Sequence, residues 1–475
     1  MLNAATNAPV RRLRAPRIDF GAIRADLGEP PEFTPQSLAE AAEGPAEVNR
    51  VDMTDVPFVT VDPPGSKDLD QALHLIPDGD GFLLRYAIAD VGSFVVPGSA
   101  LDADTRQRGV TIYLPDGRIP LHPAVLSDGS ASLLAGQTRP AVVWTIRTDA
   151  DATPVDVEVR RALVRSTAQM SYPEVDAGAR PEALTGLADF GRIRAAQVLA
   201  RGGIDLDMPE QEVEQTPEGG WRLALRAPSP SERWNAQVSL LTGECAATLM
   251  LGAGVGLLRT VPPAKPVDVA RVRRAAAGLG VDWPEGTPPG EVVASVDPAD
   301  PRGAAFLDLA ATLLRGAAYT AFTDGPPEQP LHAGVAAPYA HVTAPLRRLA
   351  DRFAVELCLS AYAGIDPPPW VLETLLTLPD IMAATTRRAN EFERAAVDLA
   401  EAVLLADRIG DEFDAAVVDA AADGESGSIA LDDPAVRAKC TGPGLAAGRR
   451  ARVRLTEADP ATRTVRFATT GSPRS

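Results

Sequence analysis

Three aspartates, Asp62, Asp68 and Asp70, fall within the stretch VDPPGSKDLDQALHL between Val61 and Leu75. In an extended chain the side chains alternate with period two, so Asp68 and Asp70 point the same way. The Pro63-Pro64-Gly65 bend lets Asp62 return toward them. Such an oxygen-only set suits magnesium or manganese rather than zinc. The competing reading is a solvated loop, because Asp, Pro and Gly are also ordinary loop residues. An EF-hand is excluded, since its glycine and closing glutamate are missing from the required positions. A phosphatase-type nucleophile needs an apolar strand directly before Asp68, where Pro-Gly-Ser-Lys stands instead. A second candidate is HVTAPLRRLADRFAVEL. Thr343 reads as a helix N-cap with Pro345 in the first turn, which sets Arg347 and Arg348 at the positive end of a helix dipole. Cations in that place point to an anion held jointly by helix end and guanidinium. The plain alternative is two solvated arginines beside Asp351.

The elements that must carry these residues follow from hydrophobic periodicity. From Val51 to about Leu163 the chain reads as short strands between Pro/Gly turns: PFVTVD, FLLRYAIADV, GVTIYLP, AVVWTIRTD and VDVEVRRALV. From about Leu184 to Tyr362 helical patterns dominate, including LADFGRIRAAQVLARGG, NAQVSLLTGECAATLMLGAG and AAFLDLAATLLRGAAYTAF. A further long helix is expected over DIMAATTRRANEFERAAVDLAEAVLLADRIG. The tail returns to strands, DEFDAAVVDA, SGSIALDD, RARVRLTEA and RTVRFATT, enough for a small barrel. The fold class is therefore α+β with a C-terminal β module. Ahead of the first strand lie a basic arm from Arg11 to Arg17 and a short helix, SLAEAAEGPAEV, capped by Ser37 with Glu40 three residues on.

Composition limits the function. The 475 residues are 45% hydrophobic, and no apolar run reaches bilayer-spanning length. The start, MLNAATNAPVRRLRAPR, lacks a secretory apolar segment. Three scattered cysteines imply reduced thiols, so a cytoplasmic location is expected. The four histidines show no metal-binding spacing. A net charge of −18 opposes broad nonspecific binding to polyanions, so any nucleic acid must meet a local basic funnel.

The block TVDPPGSKDLDQALHL, the following YAIADVGSFVVPGSALDADTRQRGVTIYLPDGRIPLHPAVLSDGSASLLAGQTRPAVVWTI and the later HAGVAAPYAHVTAPLRRLADRFAVEL closely resemble the catalytic domain of the ribonuclease II/ribonuclease R (RNB) family. The resemblance implies a mixed β-sheet or barrel surrounded by helices over residues 51–400, a short N-terminal segment over 1–50, and a reduced S1/OB-like barrel over 405–475. The family usually places cold-shock domains ahead of the catalytic domain, but only about 60 residues precede Asp62, so a short form without them is expected. The resemblance also implies processive, magnesium-assisted 3′→5′ hydrolysis of single-stranded RNA to nucleoside 5′-monophosphates, with manganese as a possible substitute. The metal ligands would be Asp62, Asp68, Asp70 and Gln71. Gln71 stands where the family has a fourth acid, so one ion is expected to bind more weakly.

By the same resemblance Arg347 is the catalytic arginine, Tyr172 lies near the scissile phosphate, and Tyr113 stacks on terminal bases. Arg348 assists with RNA, and Glu393 reads the ribose 2′-hydroxyl. Ala236 and Gln237 replace a pair of acids, while Tyr339 and His341 read as structural. Two other readings stand beside this one: a catalytically impaired RNA-binding protein, and an unrelated metal-dependent phosphoesterase. A membrane role is not expected, and no protein partner is indicated.

Overall fold

The computed structural model describes residues 18–206, 210–215, 221–298, 300–432 and 436–470. The basic arm from Arg11 to Arg17 lies outside them. Five strands, Val51–Asp62, Gln71–Asp78, Gly81–Ala89, Thr138–Thr148 and Pro154–Ser171, close into a barrel. Neighbours run antiparallel except the first and last, which complete the ring in parallel with Asp62 opposite Ser171. That register delivers the first aspartate beside Tyr172, the residue that follows the last strand.

Period-two alternation separates two faces of the barrel strands. Leu73, Leu75, Leu84, Tyr86, Ile88, Val142, Trp144 and Ile146 pack with Val238 and Leu241 of the helix Pro230–Ala253 and with Phe353 of the helix Leu349–Ala363. The alternate positions, among them Ala72, Ala87, Ala141 and Val143, join Phe94 and Leu101 in a second cluster. Gly243 lets the helix Pro230–Ala253 lie against Tyr339 and Ala340, because a Cβ there would stand 2.2 Å from the Tyr339 ring. This contact fixes where the same helix presents Ala236 and Gln237.

The tail forms a second closed barrel of Glu412–Ala420, Ser426–Leu431, Arg437–Thr441, Arg450–Asp459 and Thr464–Thr469. The strand Arg437–Thr441 was not among the tail strands expected from alternation. The long helix Leu378–Leu405 stands between the tail and the preceding helices. Among the described residues no helix is long and apolar enough to cross a membrane. All three cysteines are unpaired and buried.

Three local expectations are corrected. The first concerns the early helix, which begins at Pro35 and is capped by Thr34, whose hydroxyl accepts from the Ser37 N–H at 3.1 Å. Proline suits that first helical position, and Glu40 instead accepts from the Leu101 N–H at 2.7 Å, at the start of the helix Ala100–Arg108. In the second, AAFLDLAATLLRGAAYTAF is not one helix. It breaks after Leu314 and passes Gly316 at φ +96, and Ala318–Phe322 pairs as a strand with Gly256–Thr260. The third is the helix expected from Thr343, which starts at Leu349. Arg348 stays extended because its backbone bridges to Val110, so residues 343–347 form a turn ahead of the helix.

Candidate active site

Asp62 ends the first barrel strand, and Gln71 begins the second after an irregular connection that holds Asp68 and Asp70. The three carboxylates leave this connection toward different partners. The Asp70 carboxylate accepts from the Leu346 N–H at 2.7 Å and from Arg347 Nε at 3.1 Å. Asp68 Oδ2 accepts from the Tyr113 hydroxyl and from Arg118 Nη1, each at 2.8 Å. Asp62 Oδ2 is buried and has no hydrogen-bond partner. The Gln71 amide nitrogen donates to the Thr343 carbonyl.

The Arg347 turn is built from both sides. Asp351, in the first turn of the helix Leu349–Ala363, accepts from the Ala344 N–H at 2.7 Å and from Arg348 at 2.6 and 2.8 Å. The Arg347 carbonyl accepts from the Thr111 N–H at 3.0 Å, and Gly109 accepts from the Leu349 N–H at 2.9 Å. Gly109 is required there: its φ is +68, and a Cβ would stand 2.4 Å from the Thr385 hydroxyl. This pairing brings the hairpin Ile112–Leu114/Gly117–Ile119, and Tyr113 on it, beside the arginine turn.

Nine of the residues singled out from sequence share one cavity of about 500 Å³: Asp62, Asp68, Asp70, Gln71, Tyr113, Tyr172, Ala236, Gln237 and Arg347. Arg347 keeps 47% of its side chain exposed while Asp70 beneath it is 4% exposed, so the guanidinium is open to the cavity on one side. The Tyr172 hydroxyl accepts from Asn235 Nδ2 at 3.2 Å, and burial pushes the phenol up to about 12. A second cavity of about 190 Å³ lies on the far side of Tyr113 and Arg347, with Thr111, Thr386 and Ala389 in its wall. Arg348 also lines it, but its guanidinium is committed to Asp351. Glu393 lies one helical turn beyond Ala389, is exposed, and lines neither cavity. His341 is structural in its contacts, with Nδ1 2.7 Å from the Tyr319 hydroxyl and its ring edge-on to Tyr339.

Sequence reasoning missed several residues of the site. Arg118 ties Asp68 to Asp128, and no spacing pattern joins those positions. Asp205, Arg226, Glu232 and Arg233 line the larger cavity. The Gln237 side-chain oxygen and the Asn235 side-chain oxygen are buried without hydrogen-bond partners.

The electrostatics bear on whether a cation fits. Burial pushes the Asp70 carboxyl up to about 7 against the pull of Arg347, and it pushes Asp62 up to about 6. Among the described residues no three His, Cys, Asp or Glu side chains are gathered as a ready cage, because Asp68 and Asp70 are drawn to the hairpin and the arginine turn. The donor set nevertheless fits a hard divalent ion: it offers oxygen alone, one carboxylate oxygen is buried and unsatisfied, and two carboxyls are held back from ionising by burial. Positive charge in the cavity relieves both conditions.

A family model described as RNB domain matches residues 50–362, and one described as RNase II-type exonuclease C-terminal S1 domain matches residues 411–470. The chain is 30% identical over 389 residues to exosome complex exonuclease RRP44 homolog A of Arabidopsis thaliana, covering 76% of this chain and 41% of that protein. It is 27% identical over 438 residues to ribonuclease R of Thermotoga maritima, covering 85% and 60%. The chain thus spans less than two thirds of either relative. Apo RNase R of Mycoplasma genitalium superimposes with a TM-score of 0.82 at 20% identity, covering 95% of this chain and 77% of that one. Yeast Ssd1, described as a pseudonuclease, superimposes with a TM-score of 0.65 at 15% identity, covering 86% and 53%. These two likenesses show the fold.

Proposed function

The chain belongs to the RNB domain family, and from that premise we propose that it is a 3′→5′ exoribonuclease, releasing nucleoside 5′-monophosphates processively from single-stranded RNA. The observation that carries this reading is the convergence of the three aspartates, Arg347 and both tyrosines on one cavity. Asp62, Asp68 and Asp70 would hold divalent magnesium, or manganese in its place. When bound, such ions supply a water of lowered pKa and counter the charge on the leaving oxygen.

The chain's own groups do the rest. Arg347, braced by Asp70, offers its open side to the phosphoryl oxygens and stabilises charge as it develops there. Tyr172 receives a hydrogen bond from Asn235, so its own proton is available to an oxygen in the cavity. Tyr113 is anchored through its hydroxyl to Asp68 and is 45% exposed, which leaves ring surface for a base to stack on.

Digestion of a single-stranded RNA with a free 3′ end, beside the same RNA blocked there, tests the reading. Mononucleotides should appear with magnesium from the free end alone, and Asp70→Asn should abolish them. A second reading, an RNA-binding protein without turnover, draws on uncharged Gln71 in the aspartate motif and on the fold shared with yeast Ssd1. Tight RNA binding with no release of nucleotide at any magnesium concentration would favour it.

A further inference from the structure

The turn from Thr343 to Arg348 is gripped along its length. Asp351 holds the Ala344 N–H, Asp70 holds the Leu346 N–H and Arg347 Nε, and Thr111 holds the Arg347 carbonyl. The start of the turn is a carbonyl, Thr343, on a residue only 5% exposed. A carbonyl needs a donor, and Gln71 Nε2 supplies one. The orientation of the amide follows from this contact, because the carbonyl can only accept. An ionised carboxylate at position 71 offers no donor and would face the carbonyl with a second acceptor.

We propose that Gln71 is a positioning residue whose amide anchors the arginine-bearing turn, rather than a ligand for a cation. Asp70 and Gln71 are then adjacent residues gripping the two ends of one turn, Asp70 at Leu346 and Arg347 and Gln71 at Thr343. The glutamine is the residue that fits this carbonyl, and the departure from an all-acid motif becomes part of how the site is assembled. The proposal rests on the reading of the site as a phosphodiesterase, and its test separates the two.

Gln71→Glu keeps the size and removes the donor, while Gln71→Met removes the donor without adding charge. Leaving a buried carbonyl unsatisfied should lower kcat for both by roughly 10- to 100-fold, with KM for RNA little changed. The magnesium concentration for half-maximal rate should not fall in Gln71→Glu. Adding Arg347→Ala to either variant should produce no further loss beyond Arg347→Ala alone, because the effect of position 71 acts through the arginine. Without magnesium and without turnover, backbone hydrogen exchange at Ala344, Leu346, Arg347 and Arg348 should quicken in both variants while the melting temperature holds. A Gln71→Glu enzyme that runs at wild-type rate on less magnesium would make position 71 an ion ligand and overturn the proposal. So would losses that add to those of Arg347→Ala, or unchanged exchange in the turn. If the wild type releases no nucleotide, the enzymatic reading fails, and the exchange measurement still decides what Gln71 does.

Discussion

Asp70 does two things at once: it fixes the turn through the Leu346 N–H and orients Arg347 through Nε. Asn in its place would turn an amide group toward one of those two donors. Asp70→Asn should therefore abolish magnesium-dependent cleavage yet spare most RNA affinity, and wild-type turnover in that variant would dismiss the site. Arg347→Ala should lower kcat far more than affinity, by about 3 kcal/mol of transition-state stabilisation. Normal cleavage of weakly bound RNA would make it a binding residue. The raised carboxyls also predict a pH dependence. Between the ordinary carboxylate value and about 6 for Asp62 or about 7 for Asp70, the folded state holds more protons than the unfolded state. The contribution of these groups to stability is therefore largest in acid and is lost as pH rises through that window. Magnesium, which needs the ionised forms, should raise the melting temperature at about pH 8 and hardly at about pH 5. An equal shift at both would remove these aspartates from the ion site. At this scale residue type and short spacing brought the aspartates and the arginine pair to notice, and the resemblance to the RNB family set the site reading above a solvated loop and two solvated arginines. Arg118 and Asp128 stayed hidden because their link to Asp68 is purely tertiary.

Elements decide where those residues point, and here local sequence rules were overridden. Thr343 and Pro345 look like a helix start, but the pairing of Arg348 with Val110 keeps that residue extended, so residues 343–347 form a turn and the helix waits until Leu349. The same pairing sets the hairpin carrying Tyr113 against the Arg347 turn, which no single-segment pattern reveals. Tyr113 thus stands between the larger and smaller cavities, with Asp68 holding its hydroxyl. Stacking on an aromatic contributes about 1–3 kcal/mol per base, enough to govern when a short RNA leaves. Tyr113→Ala should shift the length of the resistant end product while long RNA still yields mononucleotides. Tyr113→Phe keeps the ring and loses the bond to Asp68, so it should retain the wild-type end product. A Tyr113→Ala ladder identical to wild type would take the residue out of the RNA path.

Across the whole molecule a net charge of −18 stands against the polyanionic substrate proposed above. Read as a line, the tail run GRRARVRL looks like a basic patch, because a linear reading sees the arginines and not what lies across the sheet. Antiparallel pairing puts Glu412 opposite Arg454 and Asp414 opposite Arg452. Arg454 meets Glu412 at 2.8 Å, Arg452 meets Asp414 at 2.8 Å, and Arg450 pairs with Asp432. Exposed pairs of this kind add little stability, but each partner acid screens its arginine from an approaching phosphate. The tail barrel should therefore hold RNA weakly, leaving most of the grip to the cavity around Arg347. Glu412→Gln combined with Asp414→Asn removes two acids without touching an arginine. Because the pairs are exposed, the melting temperature should move little. RNA should bind more tightly at low salt, and the slope of log affinity against log salt should steepen by about 0.7 for each arginine that newly reaches a phosphate. An unchanged slope and affinity would mean that RNA does not pass over this face of the barrel, and that the tail serves the fold rather than the substrate.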